Sequence, residues 1–337
     1  MCGIIGFAGN GEAAPVVLDA LKKLEYRGYD SAGVAVVDAA NELCLRRTVG
    51  KVAELEEKIA ANPLNGHIGV AHTRWATHGV PNETNAHPHL SGDTIAIVHN
   101  GIIENHEELR ADLLEKGYTF TSDTDTEVIA HRIHYNLQTA GDFVGAVRTT
   151  VAELEGAYAI AVINAAEPEQ IVIARQGAPA VVGLGIGENF VASDVAALLP
   201  VTRNFQFLEE GDVALVERKQ VTIWDERGDV AEGPVREYAL DADAAERGEF
   251  RHYMLKEIYE QPAAVARTLD GRIADGRVLE ASFGPLANDA LDKTRGVHIV
   301  ACGTSYHAGL VARYWIESLC RLPCTVEIAS EYRYRNP

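Results

Sequence analysis

Short apolar segments alternate with amphipathic segments along the first 240 residues of the chain. The apolar runs predict strands at residues 4–8, 32–37, 67–72 and 94–99. Apolar residues that share one helical face predict helices at 15–24, 52–61 and 107–116. Thr124 and Glu127 have capping-box spacing before a further apolar stretch, which predicts a helix up to residue 137.

The pattern changes after Gly156, where strands predominate. They are predicted at residues 157–163, 170–174, 180–184, 189–192, 213–216 and 221–224. Turn-rich connections join them instead of regular strand–helix–strand units, which favours a layered α+β fold with mixed or antiparallel sheets. The glycine-rich run at 183–187 has no helix after it, so we interpret it as a strand-connecting turn and not as a dinucleotide loop.

A second region follows an acidic stretch rich in small residues at about 233–250, which we interpret as a linker. In this region residues 297–301 and 325–329 are predicted strands, with a tight turn at 303–305 and a helix at 306–319 between them. That order is typical of one βαβ unit of a parallel sheet. The region is too short to complete a doubly wound domain, so we expect an incomplete one.

Charge and composition exclude several functional classes. The 337 residues include 30 lysines and arginines against 49 aspartates and glutamates, a net charge of −19. A field of that sign repels nucleic acid and anionic membranes, so we expect neither as a partner. The sequence contains no apolar run long enough to span a membrane and no signal-peptide pattern, which favours a cytoplasmic protein. Five widely spread cysteines, an odd number, argue against a disulfide framework.

Cys2 is the first candidate catalytic residue. Removal of Met1 would leave one residue with both a thiol and a free α-amine. The unperturbed pKa of the amine is about 7.7–8.0 and that of the thiol about 8.5, so the amine can accept the thiol proton near neutral pH. This is the terminal-amine form of an activated nucleophile. Because a cysteine at position two also occurs by chance, Cys2 alone supports catalysis only weakly.

Other polar positions have a functional interpretation and a structural one. Arg74, beside Trp75 at a predicted strand exit, can bind a carboxylate bidentately or form a surface salt bridge. Asn100 and the N–H group of Gly101, at a predicted strand end, can form an oxyanion hole, but Asn-Gly is also the leading hairpin turn. Asp125 can bind an ammonium group or simply stabilise the start of its helix.

Histidines raise the question of a metal site, because five occur close together in the sequence: His72, His78, His87, His89 and His99. No His-Glu-x-x-His or comparable ligand pair is present, and the segment His87-Pro88-His89 lacks helical spacing. Cys320 and Cys324 have no second Cys or His pair nearby. We therefore expect no metal and no other cofactor.

Several short sequence strings, in their order along the chain, resemble those of a known family. The matching strings are Cys2-Gly3-Ile4, residues 25–33 (Glu-Tyr-Arg-Gly-Tyr-Asp-Ser-Ala-Gly), residues 72–79 (His-Thr-Arg-Trp-Ala-Thr-His-Gly), residues 85–89, residues 99–101 and residues 124–127. They closely resemble the glutaminase domain of the glutamine–fructose-6-phosphate aminotransferase (isomerising) family, N-terminal-nucleophile amidotransferases also called glucosamine-6-phosphate synthases. Residues 301–307 (Ala-Cys-Gly-Thr-Ser-Tyr-His) look like the start of that family's sugar-isomerase domain.

The resemblance implies a four-layer αββα sandwich for residues 1–240, a linker at 241–262 and the first part of an α/β parallel-sheet sugar-isomerase domain at 263–337. It implies that Cys2 attacks the glutamine carboxamide while Asn100 and Gly101 hold the oxyanion. Arg74 would bind the α-carboxylate and Asp125 the α-ammonium group. The remaining implied site residues are Trp75, Thr77 and His78 in a loop that closes over glutamine, and Cys302, Thr304 and Ser305 at the sugar site.

The implied function is hydrolysis of glutamine through a cysteine thioester, with ammonia delivered to fructose 6-phosphate to give glucosamine 6-phosphate and glutamate. The family continues with further isomerase elements that this sequence lacks, so we expect only the glutaminase half from this chain alone. A homodimer is the expected assembly. Two alternatives are a non-catalytic, glutaminase-like regulatory module and the glutaminase half of another class II amidotransferase.

Overall fold

The structure is a computed structural model that describes residues 2–76, 78–231, 233–238, 250–269, 272–274, 276–279 and 287–335. The chain divides into two compact units, at residues 1–249 and 250–337. The first contains the strands and helices predicted for residues 1–240, and the second contains the predicted βαβ unit.

Two antiparallel sheets form the centre of the first unit. Within the described residues, the first sheet has eight strands: β1 (Gly3–Ala8), β2 (Ser31–Val37), β3 (Leu43–Val49), β4 (Ile68–Arg74), β9 (Val181–Leu184), β10 (Asn189–Ala192), β11 (Asn204–Phe207) and β15 (Arg236–Glu237). The second has seven over the same part of the chain: β5 (His89–Ser91), β6 (Ile95–Ile103), β7 (Gly156–Asn164), β8 (Gln170–Gln176), β12 (Val213–Glu217), β13 (Val221–Trp224) and β14 (Val230–Ala231).

The strand order places β1 in the interior of its sheet. The first sheet runs β15-β11-β9-β10-β1-β4-β2-β3, and the second runs β14-β13-β12-β8-β7-β6-β5. Ile5 in β1 pairs with Ala71 on one side and with Ala192 on the other. In the second sheet β6 pairs with β7 along its whole length, from Ile95 opposite Asn164 to Ile103 opposite Gly156.

Helices cover the outer faces of both sheets. α1 (Ala13–Lys22) and α2 (Val52–Ala61) share a buried cluster with the first sheet, whereas α4 (Asp125–Ala140) and α5 (Phe143–Val151) share one with the second. α3 (His106–Glu115) packs against α4 through Leu109, Leu113 and Val128. A further cluster, containing residues of both sheets, fills the space between them.

Successive residues of β1 belong to different cores, because Ile4 faces the opposite sheet and Ile5 faces α1. A strand covered on both faces needs apolar side chains at every position, which explains the continuous apolar runs in the sequence. The layer order is helix, sheet, sheet, helix. The predicted αββα sandwich is confirmed.

Some elements were not apparent from sequence patterns. β3 carries Arg46 and Arg47 among its apolar residues and is only half-buried at the edge of its sheet, so it lacks a continuous apolar run. The helix α5 and the short strand β11 also went unpredicted. The turn predicted at 183–187 does connect β9 to β10, with the Gly185 N–H donating to the Glu188 carbonyl at 2.9 Å.

The second unit contains α6 (Tyr253–Leu269), β16 (Ile273–Ala274), β17 (Arg277–Val278), α7 (Ala287–Lys293), β18 (Val297–Ala301), α8 (Gly303–Trp315) with a π-helical turn at Ile316–Cys320, β19 (Cys324–Ile328) and α9 (Ala329–Arg335). β18 and β19 are parallel, and α8 connects them, as predicted. A Cβ atom on Gly309 of α8 would lie 3.0 Å from atoms of Ile299 and Val326, so this glycine permits close packing of helix on sheet.

Two boundaries in this region differ from the prediction. α8 begins at Gly303, so residues 303–305 form its first turn and the predicted tight turn is wrong. Residues 241–249 of the predicted linker lie outside the described residues, and α6 extends through its predicted end at residue 262. No helix among the described residues is long and apolar enough to span a membrane.

Candidate active site

Strand pairing brings Cys2 to the end of β4. Gly3, the first residue of β1, pairs with Thr73 in β4. The backbone N–H of Trp75, just after β4, donates to the Cys2 Sγ at 3.1 Å. A Cβ on Gly3 would lie 2.8 Å from atoms of both Leu24 and Thr73, so only glycine fits beside the cysteine.

The environment of Cys2 keeps its thiol protonated. Burial raises the pKa of the thiol, and the hydrogen bond from Trp75 only partly offsets that increase. A thiol is a weaker nucleophile than a thiolate, so catalysis at Cys2 requires a base that removes its proton.

Asn100 and Gly101 lie within β6, so the hairpin-turn interpretation is wrong. They pair with Ala159 and Tyr158 in β7, and the strand continues to Ile103 instead of ending at Gly101. Gly101 has φ +128°, and a Cβ there would lie 1.9 Å from the Ala157 carbonyl oxygen. The Asn100 Nδ2 donates to the Cys2 carbonyl oxygen at 3.3 Å, which joins the second sheet to the candidate nucleophile.

Arg74 is the last residue of β4 and is buried. Its Nη2 donates to the carbonyl oxygens of His78 and, at 3.1 Å, of Gly79. Its Nη1 lies 3.7 Å from an oxygen of Asp30 and is buried with no hydrogen-bond partner among the described residues. The Arg74 Nη2 therefore holds the loop that follows β4, while Nη1 can donate to a carboxylate.

Asp30 fixes the start of that loop. Its Oδ2 accepts from the Ala76 N–H, and its own N–H donates to the Arg74 carbonyl at 2.7 Å. The Trp75 side chain is exposed and packs on Gly28, where a Cβ would lie 2.3 Å from the indole ring. Thr77, predicted to belong to the loop, lies outside the described residues.

Asp125 begins α4, as predicted, and is buried. Its Oδ2 accepts from the Ile103 N–H at 2.9 Å and lies 4.0 Å from the His78 Nδ1, a buried atom without a hydrogen-bond partner within the described ranges. No described lysine or arginine forms an ion pair with this carboxylate. A buried carboxylate whose only ionisable partners among the described residues are histidines is suited to bind a cationic group.

The buried histidines form hydrogen-bond chains beneath the site. The His87 Nδ1 accepts from the His99 backbone N–H at 3.3 Å, so its Nε2 carries the hydrogen and donates to the Thr126 Oγ1 at 3.4 Å. His99 Nδ1 lies 2.9 Å from the same oxygen, and Thr126 in turn donates to Asp125 at 3.5 Å. Burial lowers the pKa of His87 and His99, which keeps both rings neutral.

One pocket collects most of the predicted glutamine-site residues, and it has room for about one water molecule in this state. It is lined by Cys2, Arg74, Trp75, His78, His87, His99, Gly101, Thr124, Asp125 and Thr126. Groups of histidine, cysteine, aspartate or glutamate arranged as metal ligands are absent from the described residues.

The predicted sugar-site residues belong to the second unit. Cys302 follows β18, and Thr304 and Ser305 lie in the first turn of α8, all three exposed. They share the carboxyl end of a parallel strand, the place where α/β sheets bind ligands.

Sequence reasoning gave no role to two residues that shape the site. Asp30 belongs to the string at residues 25–33, and His72 begins the string at residues 72–79. Each lies next to a residue whose function the resemblance implies, since Asp30 contacts Arg74 and His72 contacts Asn100. Membership in those strings was the only available signal.

Comparison with known proteins decides the family. Residues 72–200 match the family described as "Glutamine amidotransferase domain". Over 99% of its length the chain is 58% identical to the glutamine–fructose-6-phosphate aminotransferase [isomerizing] of Pseudomonas aeruginosa, and equally to that of Idiomarina loihiensis. The chain belongs to the glutamine amidotransferases.

This amidotransferase spans about half the length of the curated relatives it matches, since the aligned region covers 55% of each. Its fold is similar to that of the glutamine phosphoribosylpyrophosphate amidotransferase from B. subtilis, with a TM-score of 0.57. That similarity covers 96% of this chain and 65% of the other at 18% identity, so it supports the fold alone.

Proposed function

We propose that this chain supplies the glutaminase half-reaction of a glutamine–fructose-6-phosphate aminotransferase. The observation that carries the proposal is the pocket lined by Cys2, Arg74 and Asp125. An α-amino acid presents a carboxylate and an ammonium group. The Arg74 Nη1, which has no hydrogen-bond partner among the described residues, and the buried Asp125 carboxylate complement them. A carboxamide at the end of the same ligand would meet the thiol.

In the proposed reaction, removal of Met1 exposes the α-amine of Cys2, which accepts the thiol proton as the sulfur attacks the carboxamide carbon. The carbon–nitrogen bond then breaks, and the amine returns its proton to the leaving nitrogen, so that ammonia departs and a γ-glutamyl thioester remains. Water attacks the thioester, which releases glutamate and restores the thiol.

Asn100 and Gly101 would stabilise the tetrahedral intermediate. Asn100 already directs its amide N–H toward the Cys2 backbone, and Gly101 lines the pocket. Donors held at the position where negative charge develops act mainly in the transition state, so they raise turnover more than binding.

Glutamine is larger than the space that the pocket offers, so the proposal includes movement of the loop at residues 75–79. Trp75, Thr77 and His78 would then cover the bound substrate. The exposed indole of Trp75 provides apolar surface for that contact.

The first test measures glutamate release by the processed protein. Cys2→Ala should abolish release, and so should an N-terminal extension that leaves Cys2 in place but blocks its amine. An electrophilic glutamine analogue should label Cys2 and spare Cys44, Cys302, Cys320 and Cys324. Normal turnover by the extended protein would disprove the amine mechanism. No turnover by the unaltered chain would favour the regulatory module.

On the sugar side, we propose that Cys302, Thr304 and Ser305 contribute to a fructose 6-phosphate site in the complete enzyme, which we propose to be a homodimer. The described residues contain one βαβ unit there, and sheets of this type bind ligands between several strands. Incubation with glutamine and fructose 6-phosphate should therefore yield glutamate without glucosamine 6-phosphate. Stoichiometric amino sugar from this polypeptide would contradict that expectation.

A further inference from the structure

We propose that His72 is a positioning residue that holds the Asn100 amide with its N–H groups directed toward Cys2. The inference rests on the proposed role of Asn100 as an oxyanion donor and adds the group that orients it. His72 itself does not line the pocket.

The hydrogen bonds of Asn100 fix the orientation of its amide. Its Oδ1 lies 3.0 Å from the His72 Nε2, and its Nδ2 lies 3.3 Å from the Cys2 carbonyl oxygen. The reversed amide would place its oxygen against that carbonyl oxygen and its nitrogen against a ring N–H, so both contacts would become repulsive.

The ring of His72 is in the form that this role requires. Because the Asn100 Oδ1 can only accept, the His72 Nε2 must carry a hydrogen. Burial lowers the pKa of His72 to about 3, so the ring is neutral and carries a single hydrogen, which the contact with the Asn100 Oδ1 assigns to Nε2. The ring also stacks on His87, with centroids 4.1 Å apart and planes 14° apart, which limits its rotation.

Without the His72 donor, only the 3.3 Å contact with the Cys2 carbonyl oxygen favours this amide orientation, so the Asn100 side chain adopts the reversed orientation more often. In the reversed orientation an oxygen would face the developing oxyanion, which destabilises the transition state. Binding of glutamine through Arg74 and Asp125 would be unaffected. The expected signature is therefore a lower kcat with a nearly unchanged KM.

Two substitutions separate the hydrogen bond from the packing of the ring. His72→Phe keeps a buried ring that can stack on His87 but removes the donor, and should lower kcat about 10-fold to 100-fold with KM within about threefold. His72→Gln keeps an N–H donor at the same number of bonds from Cα, and should retain more turnover than His72→Phe. Thermal unfolding of each variant shows whether it is folded.

A double-mutant cycle with Asn100→Ala tests positioning against a general structural effect. Asn100→Ala alone should lower kcat about 10²–10³-fold, and adding His72→Phe should then change kcat by less than about threefold. The matched control is His131→Phe, which removes another buried histidine, bonded to Ser91 and Thr119, and should leave kcat unchanged.

The outcomes are distinguishable. The positioning role would be overturned if His72→Phe lowered kcat equally in the unaltered protein and in Asn100→Ala. A similar loss of kcat in His131→Phe would also overturn it. Normal turnover by His72→Phe together with impaired turnover by Asn100→Ala would also overturn the positioning role. The proposed function would stand in that case. Normal kcat in Asn100→Ala itself would reject the oxyanion assignment and the inference with it.

Discussion

At the scale of single residues, the proposed glutamine pocket is marked by buried polar atoms that lack hydrogen-bond partners within the described residues. Arg74 Nη1 and His78 Nδ1 are both buried without a hydrogen bond in the described part of the chain. An unpaired buried donor costs about 1–3 kcal/mol, so a ligand that supplies the missing partner recovers that free energy. In the proposed function, the α-carboxylate of glutamine is the partner that Arg74 would receive.

Replacing Arg74 should therefore affect binding first. Arg74→Ala leaves the substrate carboxylate unpaired in a buried site, which is expected to cost about 2–5 kcal/mol of binding free energy and to raise the KM for glutamine. Arg218→Ala is the control, because Arg218 lies outside the pocket and contacts Asn10. Steady-state kinetics of glutamate release measure both. An unchanged KM in Arg74→Ala would remove Arg74 from glutamine binding.

At the scale of elements, the start of α4 serves both stability and the site. The Thr124 Oγ1 accepts from the Glu127 N–H at 3.3 Å, the first half of a capping box. Burial alone would raise the pKa of Glu127, but hydrogen bonds from Thr121 and Ser122 outweigh it and lower that pKa. The carboxylate therefore stays ionised and ties the preceding loop to the helix that carries Asp125.

Two cap substitutions distinguish these roles. Thr124→Ala and Asp142→Ala each remove an N-cap, since Asp142 accepts from the Gly145 N–H at 2.7 Å at the start of α5. Each should lower the free energy of unfolding by about 0.5–2 kcal/mol, measured by denaturant titration. Only Thr124→Ala should also raise the KM for glutamine, because its helix presents Asp125. Equal KM values in the two variants would show that the cap does not influence the site.

At the scale of the whole molecule, buried histidines make stability depend on pH. Burial lowers the pKa of five of them, all in the first unit: His72, His87, His89, His99 and His131. In the unfolded chain their pKa is about 6.5. Below that value the unfolded state binds protons that the native state excludes, so unfolding becomes more favourable as pH falls.

The free energy of unfolding should thus decrease from pH 7.5 to pH 5.0, a range above the usual pKa of carboxyl groups. Each histidine whose ring stays neutral contributes up to about 1.4 kcal/mol per pH unit below 6.5, and for His72 the loss continues toward its native pKa of about 3. Denaturant titrations at several pH values measure the slope, which His131→Gln should reduce. Constant stability over this range would show that these histidines bind protons in the native state as they do in the unfolded chain.

Local sequence patterns determined most of the elements and the identity of the candidate residues. Apolar periodicity places β1, β2, α2 and the βαβ unit of the second region within a few residues of their observed bounds, because it records which faces of each element are buried. The strings around Cys2, Arg74 and Asp125 were enough to suggest the glutaminase resemblance.

Only the tertiary structure decided how the candidate residues meet. Asn-Gly favours a turn locally, yet pairing with β7 keeps Asn100 and Gly101 inside a strand, and the packing of one sheet on the other brings Asn100 to Cys2, 98 positions away. The His72 contact that orients the amide arises in the same way, between residues of different sheets. Local propensity depends on a residue and its neighbours in sequence. The contacts of Asn100 depend instead on how distant strands are placed relative to each other, and burial of the core between the two sheets determines that placement.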